Sequence, residues 1–375
     1  MKNLSSSIGT ALIGCGKVGV IHAQALSELP ESRFIAVFDR SEDRAQAFAT
    51  QYGVVAYTNL KAMLQRPDVQ MATICTSNHT HPEMVEICAQ AKVHALVEKP
   101  MSIDLKGCDR AIQAADAAGI RLGVISQRRL YRPVQRVKQA ILTGKIGQPV
   151  LGTLTVMGWR DEDYYRMDAW RGRWETEGGG VLLTQTPHQL DLFQWFMGPI
   201  AEVFGYWDNY NHPYIEVEDT AIAVVRFHNG GMGTILVSNA QQPGFYGKIH
   251  VHGSNGASVG VQTDGGSPFV AGVTETVEPP INDIWTVPGE EQFLKQWQAE
   301  DEVFCQTTNI MTHYHRLQIQ DFLQAILEDR AVQIDGREGR KHVELFTAIY
   351  RSQQQHQPIH FPLQAEAGST GLDGR

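Results

Sequence analysis

The stretch Thr10-Ala-Leu-Ile-Gly-Cys-Gly-Lys-Val-Gly19 decides the fold. Its apolar run ends at Ile13 and meets Gly14, Gly16 and Gly19 in the spacing G-x-G-x-x-G, which is typical of a strand that turns into a helix. The first glycine permits a tight turn, the second lets a pyrophosphate approach the backbone, and the third lets the helix pack closely on the strand. Free N–H groups at the start of the helix would face the phosphates, so the stretch predicts a dinucleotide site.

An acidic residue at the end of the next apolar run supports this prediction. The run Arg33–Phe38 predicts a second buried strand, and Asp39 follows it, twenty residues after Gly19. A carboxylate in this place accepts hydrogen bonds from an adenosine ribose and repels a 2′-phosphate, which favours NAD. Arg40 and Ser41 follow at once and could accommodate NADP instead. We therefore predict NAD as the cofactor, with NADP as the alternative.

Composition limits the class of protein. The 375 residues suit two domains, and a hydrophobic fraction of 42% is enough for sizeable cores. A net charge of −9 disfavours nucleic acid and anionic membranes as partners, and small solutes are the expected ligands. The cysteines form no CxxC pair, the first residues lack an apolar signal segment, and no run of roughly 18 apolar residues occurs. These observations predict a cytoplasmic protein.

Apolar runs alternate with helical patterns over residues 1–130, as a doubly wound parallel sheet requires. We predict that this part is a Rossmann domain that binds the dinucleotide. Its strand Val69–Cys75 leads into Thr76, Asn78 and His81. Ligands of such sheets bind at the carboxyl ends of the strands, so these three side chains are candidates for cofactor contact. They could equally serve only to begin the next helix.

A lysine follows the next strand of the predicted sheet. The run Ala95–Val97 leads directly into Glu98-Lys99-Pro100, again at a carboxyl end. A lysine after a strand is usually just solvated, but this position in the sheet places Lys99 beside the nicotinamide half of a dinucleotide. Pro100 restricts Lys99 to an extended conformation, so its side chain is held in place.

Residues 131–375 predict an α+β domain with a mostly antiparallel sheet. Long strands alternate here, and the segment Phe227–Met232 carries hairpin turn chemistry. Helical spacing recurs over Leu317–Leu327 and Val343–Tyr350, and these helices could pack back on the first domain. The small-residue tail Ala365–Arg375 is expected to fray.

The chemistry is expected on a helix that follows three glycines, Gly178-Gly-Gly180. Thr184, His188 and Asp191 stand four and three residues apart, so on a regular helix they share one face. Pro187 removes one helical hydrogen bond, so the helix is either kinked there or begins its regular part there. His188 could also be a packing residue, and Asp191 could simply pair with a surface arginine.

An aromatic and arginine-rich stretch precedes this helix. Aromatic faces suit a polyol, and arginines suit a carboxylate or a phosphate, although the stretch could equally be a packed interdomain or intersubunit arm. Its residues are Trp159, Arg160, Tyr164, Tyr165, Trp170, Arg171 and Trp174. A second group of arginines is expected on a solvated helix face: Arg128, Arg129, Arg132 and Arg136.

In their order and spacing, these motifs resemble the glucose-fructose oxidoreductase and inositol dehydrogenase family, Gfo/Idh/MocA, over nearly the whole chain. The resemblance rests on the glycine motif, Asp39, Glu98-Lys99-Pro100, and the segment from Gly178 through His188 to Asp191. Members oxidise or reduce one carbinol or carbonyl of a sugar, cyclitol or similar polyol. The resemblance implies an NAD(P)-dependent oxidoreductase that forms a homodimer or homotetramer. It also implies that the sheet of the second domain is large and open and serves substrate binding and oligomerisation.

The resemblance also implies roles for particular residues. Lys99 and His188 become the catalytic pair: His188 as general base or acid, and Lys99 as a cation beside the developing alkoxide that can also share its proton. Glu98 matches the residue that helps to fix the nicotinamide. Several members carry Asp where this chain has Thr184, and a hydroxyl cannot stabilise an imidazolium by charge.

The candidate sites are as follows. The cofactor residues are Gly14, Gly16, Lys17, Val18, Gly19, Asp39, Arg40, Thr76, Asn78, His81, Glu98, Lys99 and Gln127. The substrate residues are Lys99, Arg128, Trp159, Tyr165, Trp174, Thr184 and His188. No metal is expected, because the histidines and cysteines lack ligand spacing. Two other functions stay open: an NAD-dependent, redox-assisted glycoside hydrolase and a non-catalytic dinucleotide-binding sensor.

Overall fold

The computed structural model describes residues 7–264 and 278–364. Within these ranges the chain forms two sheets, each covered by helices. The tail Ala365–Arg375 lies outside the described residues. None of the helices in the described ranges combines the length and apolar composition that a membrane-crossing segment needs.

The first sheet is wholly parallel. Its six strands lie in the order β3-β2-β1-β4-β5-β6, so the order in which the chain adds strands to the sheet reverses between β1 and β4. That reversal leaves a crevice at the carboxyl ends of the central strands, where doubly wound sheets bind their ligands. The strands are β1 (Ile8–Ile13), β2 (Ser32–Phe38), β3 (Val55–Tyr57), β4 (Met71–Ile74), β5 (His94–Val97) and β6 (Leu122–Val124).

Helices cover this sheet and lead into the second. The helices that follow strands of the first sheet are α1 (Lys17–Glu28), α2 (Glu42–Tyr52), α3 (Leu60–Leu64), α4 (His81–Gln90), α5 (Leu105–Ala118) and α6 (Arg132–Leu142). The remaining helices are α7 (Glu162–Arg166), α8 (Pro187–Met197), α9 (Phe293–Thr307), α10 (Ile310–Leu327) and α11 (Gly336–Gln355).

The second sheet has seven strands in the order β12-β11-β7-β10-β9-β8-β13. All neighbours are antiparallel except β7 and β10, so the predicted open, mostly antiparallel sheet is confirmed. The segment Phe227–Met232 forms the predicted hairpin turn between β9 and β10. The strands are β7 (Pro149–Met157), β8 (Ile200–Asp208), β9 (Thr220–Phe227), β10 (Met232–Ser238), β11 (Tyr246–Gly253), β12 (Ser258–Asp264) and β13 (Ile359–His360).

One face of the second sheet packs on helices and the other faces outward. Buried and exposed positions alternate strictly along β9, and α8 packs against β7 and β11 on the buried side. The outward face carries exposed apolar side chains, among them Tyr206, Ile222 and Val224. The late helices return to the first sheet, since α10 packs on α1 and α11 on α5.

The sequence pattern did not reveal every element. Helix α9 was missed because its first turn lacks a side-chain cap and the helix buries little apolar surface, so it leaves no clear period. The long strands β8 and β12 were also missed, although each alternates between buried and less buried positions along part of its length.

Candidate active site

A cavity of about 1010 Å³ lies between the carboxyl edge of the first sheet and the buried side of the second. Every residue predicted to contact cofactor lines it except Gly19. Of the predicted substrate residues, Lys99, Arg128, Trp159, Thr184 and His188 line it as well. The two sheets thus bring most of the candidate residues to one place.

The glycine motif forms a bare backbone cradle at one end of this cavity. Gly14 has a φ of +101°, and a Cβ there would lie 2.7 Å from the carbonyl oxygen of Cys75. A Cβ on Gly19 would lie 2.4 Å from the carbonyl oxygen of Gly14, so α1 packs directly on the end of β1. A Cβ on Gly16 would meet nothing within 4 Å, and no side chain caps α1 there. The open N–H groups at Lys17 and Val18 fit a pyrophosphate.

Asp39 closes the ribose end of the cradle. Its carboxylate accepts hydrogen bonds from the backbone N–H groups of Cys15 at 3.0 Å and Ser41 at 2.8 Å, and from the Arg44 guanidinium at 2.7 Å. Burial opposes ionisation, but these donors outweigh it and hold the pKa of Asp39 below its usual value. Arg44 was missed in the sequence, although its place in the first turn of α2 brings it back beside Asp39.

The loop after β4 contributes Asn78, whose side-chain nitrogen has no partner in the described part of the chain, and His81, which holds the loop in place. The Nδ2 atom of Asn78 is buried and has no hydrogen-bond partner among the described residues, which suits contact with a cofactor. His81 differs, because its Nδ1 and Nε2 atoms lie 2.8 Å from the carbonyl oxygen of Pro100 and 3.0 Å from that of Thr76. His81 therefore ties this loop to the segment that carries Lys99.

Glu98 faces inward as much as toward the cavity. One oxygen lies 2.8 Å from His22 Nε2 and 3.5 Å from His315 Nε2, and the other accepts the backbone N–H of Lys99 at 3.1 Å. Burial raises the pKa of Glu98, but the two histidines overcome this and hold it well below its ordinary value. Three elements, α1, the end of β5 and α10, thus converge on the residue that precedes the candidate catalytic lysine.

Lys99 and His188 reach the cavity from opposite sides. Lys99 Nζ donates to the backbone carbonyl of Thr184 at 3.5 Å, so the main chain makes this contact and the Thr side chain is not required for it. Burial, together with the positive charges of Arg128, Arg171 and Arg160, lowers the pKa of Lys99 to about 8, although Glu98 opposes the shift.

His188 is buried, with only 6% of its surface exposed, and its Nδ1 atom has no partner among the described residues. Burial, and the nearby charges of Arg128 and Lys99, push the pKa of His188 well below its ordinary value. The imidazole is therefore neutral near pH 7, in contrast to the unperturbed value that the sequence alone would assign. A neutral imidazole can accept a proton or a hydrogen bond.

The predicted single helix holds for His188 and Asp191, which both lie on α8, but is wrong for Thr184. Residues Val181–Gln185 form a π-helical turn, and regular α-helix begins only at Pro187, so the spacing is not that of one helix. Asp191 points away from the cavity and accepts hydrogen bonds from Ser126 at 2.7 Å and from Arg129 Nε at 2.8 Å. This buried pair clamps α8 to the end of β6 and so positions His188.

The expectation of a solvated arginine face holds for Arg132, which is exposed, but is wrong for Arg128, Arg129 and Arg136. Arg128 and Arg129 are buried in a short 3₁₀ helix, Gln127–Leu130, because β12 and α8 cover them. Arg136 pairs with the buried Asp301 of α9, with 2.6 Å between Nη1 and Oδ2. These arginines are buried by segments far away in the sequence, so the local hydrophobic pattern does not reveal their burial.

Two predicted substrate residues lie outside the cavity lining, Tyr165 and Trp174. Tyr165 is buried against Tyr164, with 5.1 Å between the ring centroids, and accepts a hydrogen bond from Asn239. Trp174 packs on Tyr350 at 5.5 Å between centroids. Both rings support the wall of the site, whereas Tyr164 itself lines the cavity. The stretch is partly a packed arm, as the sequence left open.

Side-chain amides that the sequence analysis did not single out line the second-sheet side. Each amide nitrogen donates to a neighbouring hydroxyl or carboxyl group, at 2.9 Å from Gln185 to Tyr164 and 2.9 Å from Asn239 to Tyr165. Their carbonyl oxygens are buried and have no partner among the described residues. Such oxygens suit hydroxyl donors of a polyol. The amides belong to Gln185, Gln189 and Asn239.

An ion-pair chain spans the cofactor cradle. Lys17, the first residue of α1, lies 3.0 Å from the carboxylate of Asp168, which also lies 3.1 Å from Arg171 Nε. Asp168 and Arg171 belong to the connection between β7 and α8, and all three residues line the cavity. The second half of the chain thus reaches across the phosphate-binding end of the site.

A dinucleotide cradle on a Rossmann sheet, joined to an open sheet that supplies polar groups, defines the class of two-part dinucleotide-dependent oxidoreductases. Comparison with known proteins agrees. Residues 8–126 match the oxidoreductase family model with an NAD-binding Rossmann fold, and residues 134–259 match the GFO/IDH/MocA C-terminal domain model.

Relatives and solved structures support the same assignment. Myo-inositol 2-dehydrogenase of Thermotoga maritima is 32% identical over 255 residues, 65% of this chain and 72% of that protein. Inositol 2-dehydrogenase of Rhizobium meliloti is 24% identical over 91% of this chain and 95% of that protein. The WlbA dehydrogenase of Bordetella pertussis, solved in complex with NADH and UDP-GlcNAcA, has a TM-score of 0.80 and 29% identity over 96% of this chain and 100% of that one.

The chain belongs to the Gfo/Idh/MocA family of oxidoreductases. It is an NAD-binding enzyme of the sugar and inositol dehydrogenase type. The resemblance seen in the motifs is therefore confirmed, as are the fold class and the cofactor NAD.

Charge at Asp39 is expected to set the preference for NAD. In an Asp39→Asn variant, the ratio of kcat/KM with NADP to that with NAD should rise by about tenfold, because the repulsion of a 2′-phosphate is lost while Arg40 and Arg44 remain. Steady-state rates with each dinucleotide measure this ratio, and Asp43→Asn, an exposed neighbour, is the control. An unchanged ratio would assign the preference to another group.

Proposed function

We propose that this protein transfers a hydride between NAD and one carbinol or carbonyl carbon of a sugar, cyclitol or related polyol, with Lys99 and His188 as the catalytic residues. The observation that carries the proposal is the meeting of these two side chains in one cavity with the dinucleotide cradle. The unpartnered amide oxygens on the opposite wall support a ligand rich in hydroxyl groups.

When bound, NAD supplies the acceptor for the hydride that leaves the carbinol carbon. Lys99, with a pKa of about 8, accepts the proton of the substrate hydroxyl in its neutral form and returns one in the reductive direction. The neutral imidazole of His188 donates its N–H to the same oxygen, which fixes the hydroxyl and stabilises the alkoxide as it forms. Burial of both groups excludes water from the reacting atoms.

This assignment predicts a specific pH dependence. Lys99 is a base only above its pKa, so kcat/KM for oxidation should rise with pH and level off above about 8. The reductive reaction needs the protonated amine and should fall over the same range. The Lys99→Met variant should lack both inflections. A wild-type oxidation rate that falls through pH 8 would mean that the lysine acts as a cation instead.

The experiment that tests the function is a substrate panel. Purified protein is incubated with NAD and, separately, inositols, aldoses, uronates or anhydrosugars, and the absorbance of NADH is followed. Polyol-dependent formation of NADH is the expected result. Aryl glycosides run alongside, because sugar release without net NADH would identify the redox-assisted hydrolase. Tight binding of NADH without turnover of any compound would favour the sensor.

We also propose a division into a dinucleotide-binding domain over residues 1–130 and a substrate domain over residues 131–375. The cytoplasm is the proposed location. A homodimer or homotetramer is the proposed assembly, and the exposed apolar side chains on the outward face of the second sheet support it. Size-exclusion chromatography with light scattering measures the assembly.

A further inference from the structure

The cavity carries more positive than negative charge. Among the described residues that line it, seven are lysine or arginine and five are aspartate or glutamate. Bound NAD has one net negative charge, because its two phosphates outweigh the pyridinium. With Lys99 protonated, the described lining residues and bound NAD together leave one positive charge for the substrate to match. The cations are Lys17, Arg40, Arg44, Lys99, Arg128, Arg160 and Arg171, and the carboxylates are Asp39, Glu83, Glu98, Asp168 and Asp264.

The excess lies where the substrate binds. Lys99 experiences the charges of Arg128, Arg160 and Arg171, all of which line the cavity. Arg128 lies in the 3₁₀ turn after β6, whereas Arg160 and Arg171 lie in the connection between β7 and α8. Asp168 is shared between Arg171 and Lys17, so one carboxylate serves two cations. A neutral polyol would leave the excess positive charge near Lys99 unmatched.

Arg128 is the best placed of the three arginines. It is only 8% exposed, and its Nη1 atom donates to Asp264 and lies 3.4 Å from Thr263 Oγ1. Its Nε atom is buried and has no hydrogen-bond partner among the described residues. A buried guanidinium with an N–H group that has no acceptor can donate a hydrogen bond to a ligand. Of the cations near Lys99 and His188, Arg128 acts most strongly on both.

Arg160 faces the same region from the connection after β7. Its guanidinium carbon lies 5.2 Å from the centroid of the Tyr164 ring, and its Nη1 atom donates to the carbonyl of Trp159 at 2.9 Å. All three residues line the cavity, so the guanidinium is fixed beside the open volume. A guanidinium held in this way favours a planar anion, which can accept two parallel N–H bonds from one arginine.

We propose that the substrate is an acidic sugar of the uronate class, and that Arg128 and Arg160 bind its carboxylate. This inference rests on the proposed function, since it names the substrate class of the same site. A carboxylate fits better than a phosphate because one charge remains to be matched and a phosphate group carries nearly two.

Matched pairs of acidic and neutral sugars test the proposal. The probes are D-glucuronate against D-glucose, D-galacturonate against D-galactose, and UDP-glucuronate against UDP-glucose, each with NAD. In at least one pair, kcat/KM for the acid should exceed that for its neutral partner by about tenfold or more. Comparing kcat/KM for the free acids with kcat/KM for UDP-glucuronate shows which form of the uronate the enzyme recognises.

Variants assign that preference to particular residues. Arg128→Gln and Arg160→Gln should each reduce the acid-to-neutral ratio by about tenfold. Arg132→Gln should leave the ratio unchanged, because Arg132 stacks on Phe304, 3.9 Å from the ring centroid, outside the cavity lining. If Arg128→Gln does not fold, the wild-type ratio and Arg160→Gln still decide the question.

A binding measurement separates failure of this inference from failure of the proposed function. Acidic and neutral probes are titrated by calorimetry into the His188→Asn variant saturated with NAD, in which turnover is slow and the charges of the cavity are unchanged. Neutral sugars oxidised as well as their acids would overturn the carboxylate site and leave the dehydrogenase standing. Acids that bind through Arg128 without turnover would support the site and overturn hydride transfer. If no acid either binds or reacts, the inference is wrong.

Discussion

A Lys99→Met enzyme is expected to lose about 10³-fold in kcat/KM and to bind NADH as tightly as the wild type. Methionine keeps the length of the side chain but has no proton to accept or donate. The cradle at Gly14, Gly16 and Lys17 is formed by another part of the chain, so dinucleotide binding should survive. Steady-state kinetics and an NADH fluorescence titration measure the two quantities.

Lys106→Met provides the matched control, because Lys106 is exposed on α5 in the same half of the chain. Its kinetics should equal those of the wild type. If Lys99→Met kept its rate within about tenfold of wild type, proton transfer by this lysine would be refuted. Loss of NADH binding would instead indicate that Lys99 mainly holds the cofactor.

A His188→Asn enzyme is expected to lose about 10²-fold in kcat, because the shorter amide cannot place a hydrogen-bond donor on the reacting oxygen. The loss should be largest in kcat, since His188 is assigned to the reacting hydroxyl and not to the remainder of the ligand. The melting temperature should stay close to wild type, because Asp191 and Arg129 still clamp α8.

His228→Asn is the control, because His228 is exposed on the turn after β9. Unchanged kinetics are expected for it. Should His188→Asn raise only KM, the histidine would be a binding residue alone. A large fall in its melting temperature would support the packing role that the sequence left open.

The cofactor half of the site could be predicted because its signals are local. Three glycines and Asp39 stand at fixed offsets around β1 and β2, and the place of Lys99 follows from the rule that parallel strands end at one edge. Short-range geometry dictates these positions, so they hold whatever the rest of the chain does.

The substrate half could be predicted only in part. Helical spacing suggested that Thr184 shares a helix with His188, but Thr184 lies in a π-helical turn and the regular helix begins only at Pro187. The burial of Arg128 depends on Thr263 and Asp264, which lie 135 and 136 residues away in the chain. No periodic pattern reports such contacts, because they arise only when the two sheets come together.

The amide groups illustrate the same limit. Gln189 is adjacent to His188 in sequence and could have been considered, but its orientation is set by Asp264 on β12. Asn239 follows directly after β10 and carries no motif. A polar residue at the end of an antiparallel strand is common, and only its position in the folded chain marks it as part of the site.

The central claim is direct hydride transfer from a carbinol carbon to NAD, and transfer of deuterium tests it most directly. A substrate found by the panel is prepared with deuterium on the carbon that is oxidised, and the reduced dinucleotide is analysed by mass spectrometry. The account predicts one deuterium in every NADH formed and a slower rate with the labelled substrate. Unlabelled NADH, or deuterium released to water while the dinucleotide returns unchanged, would contradict it.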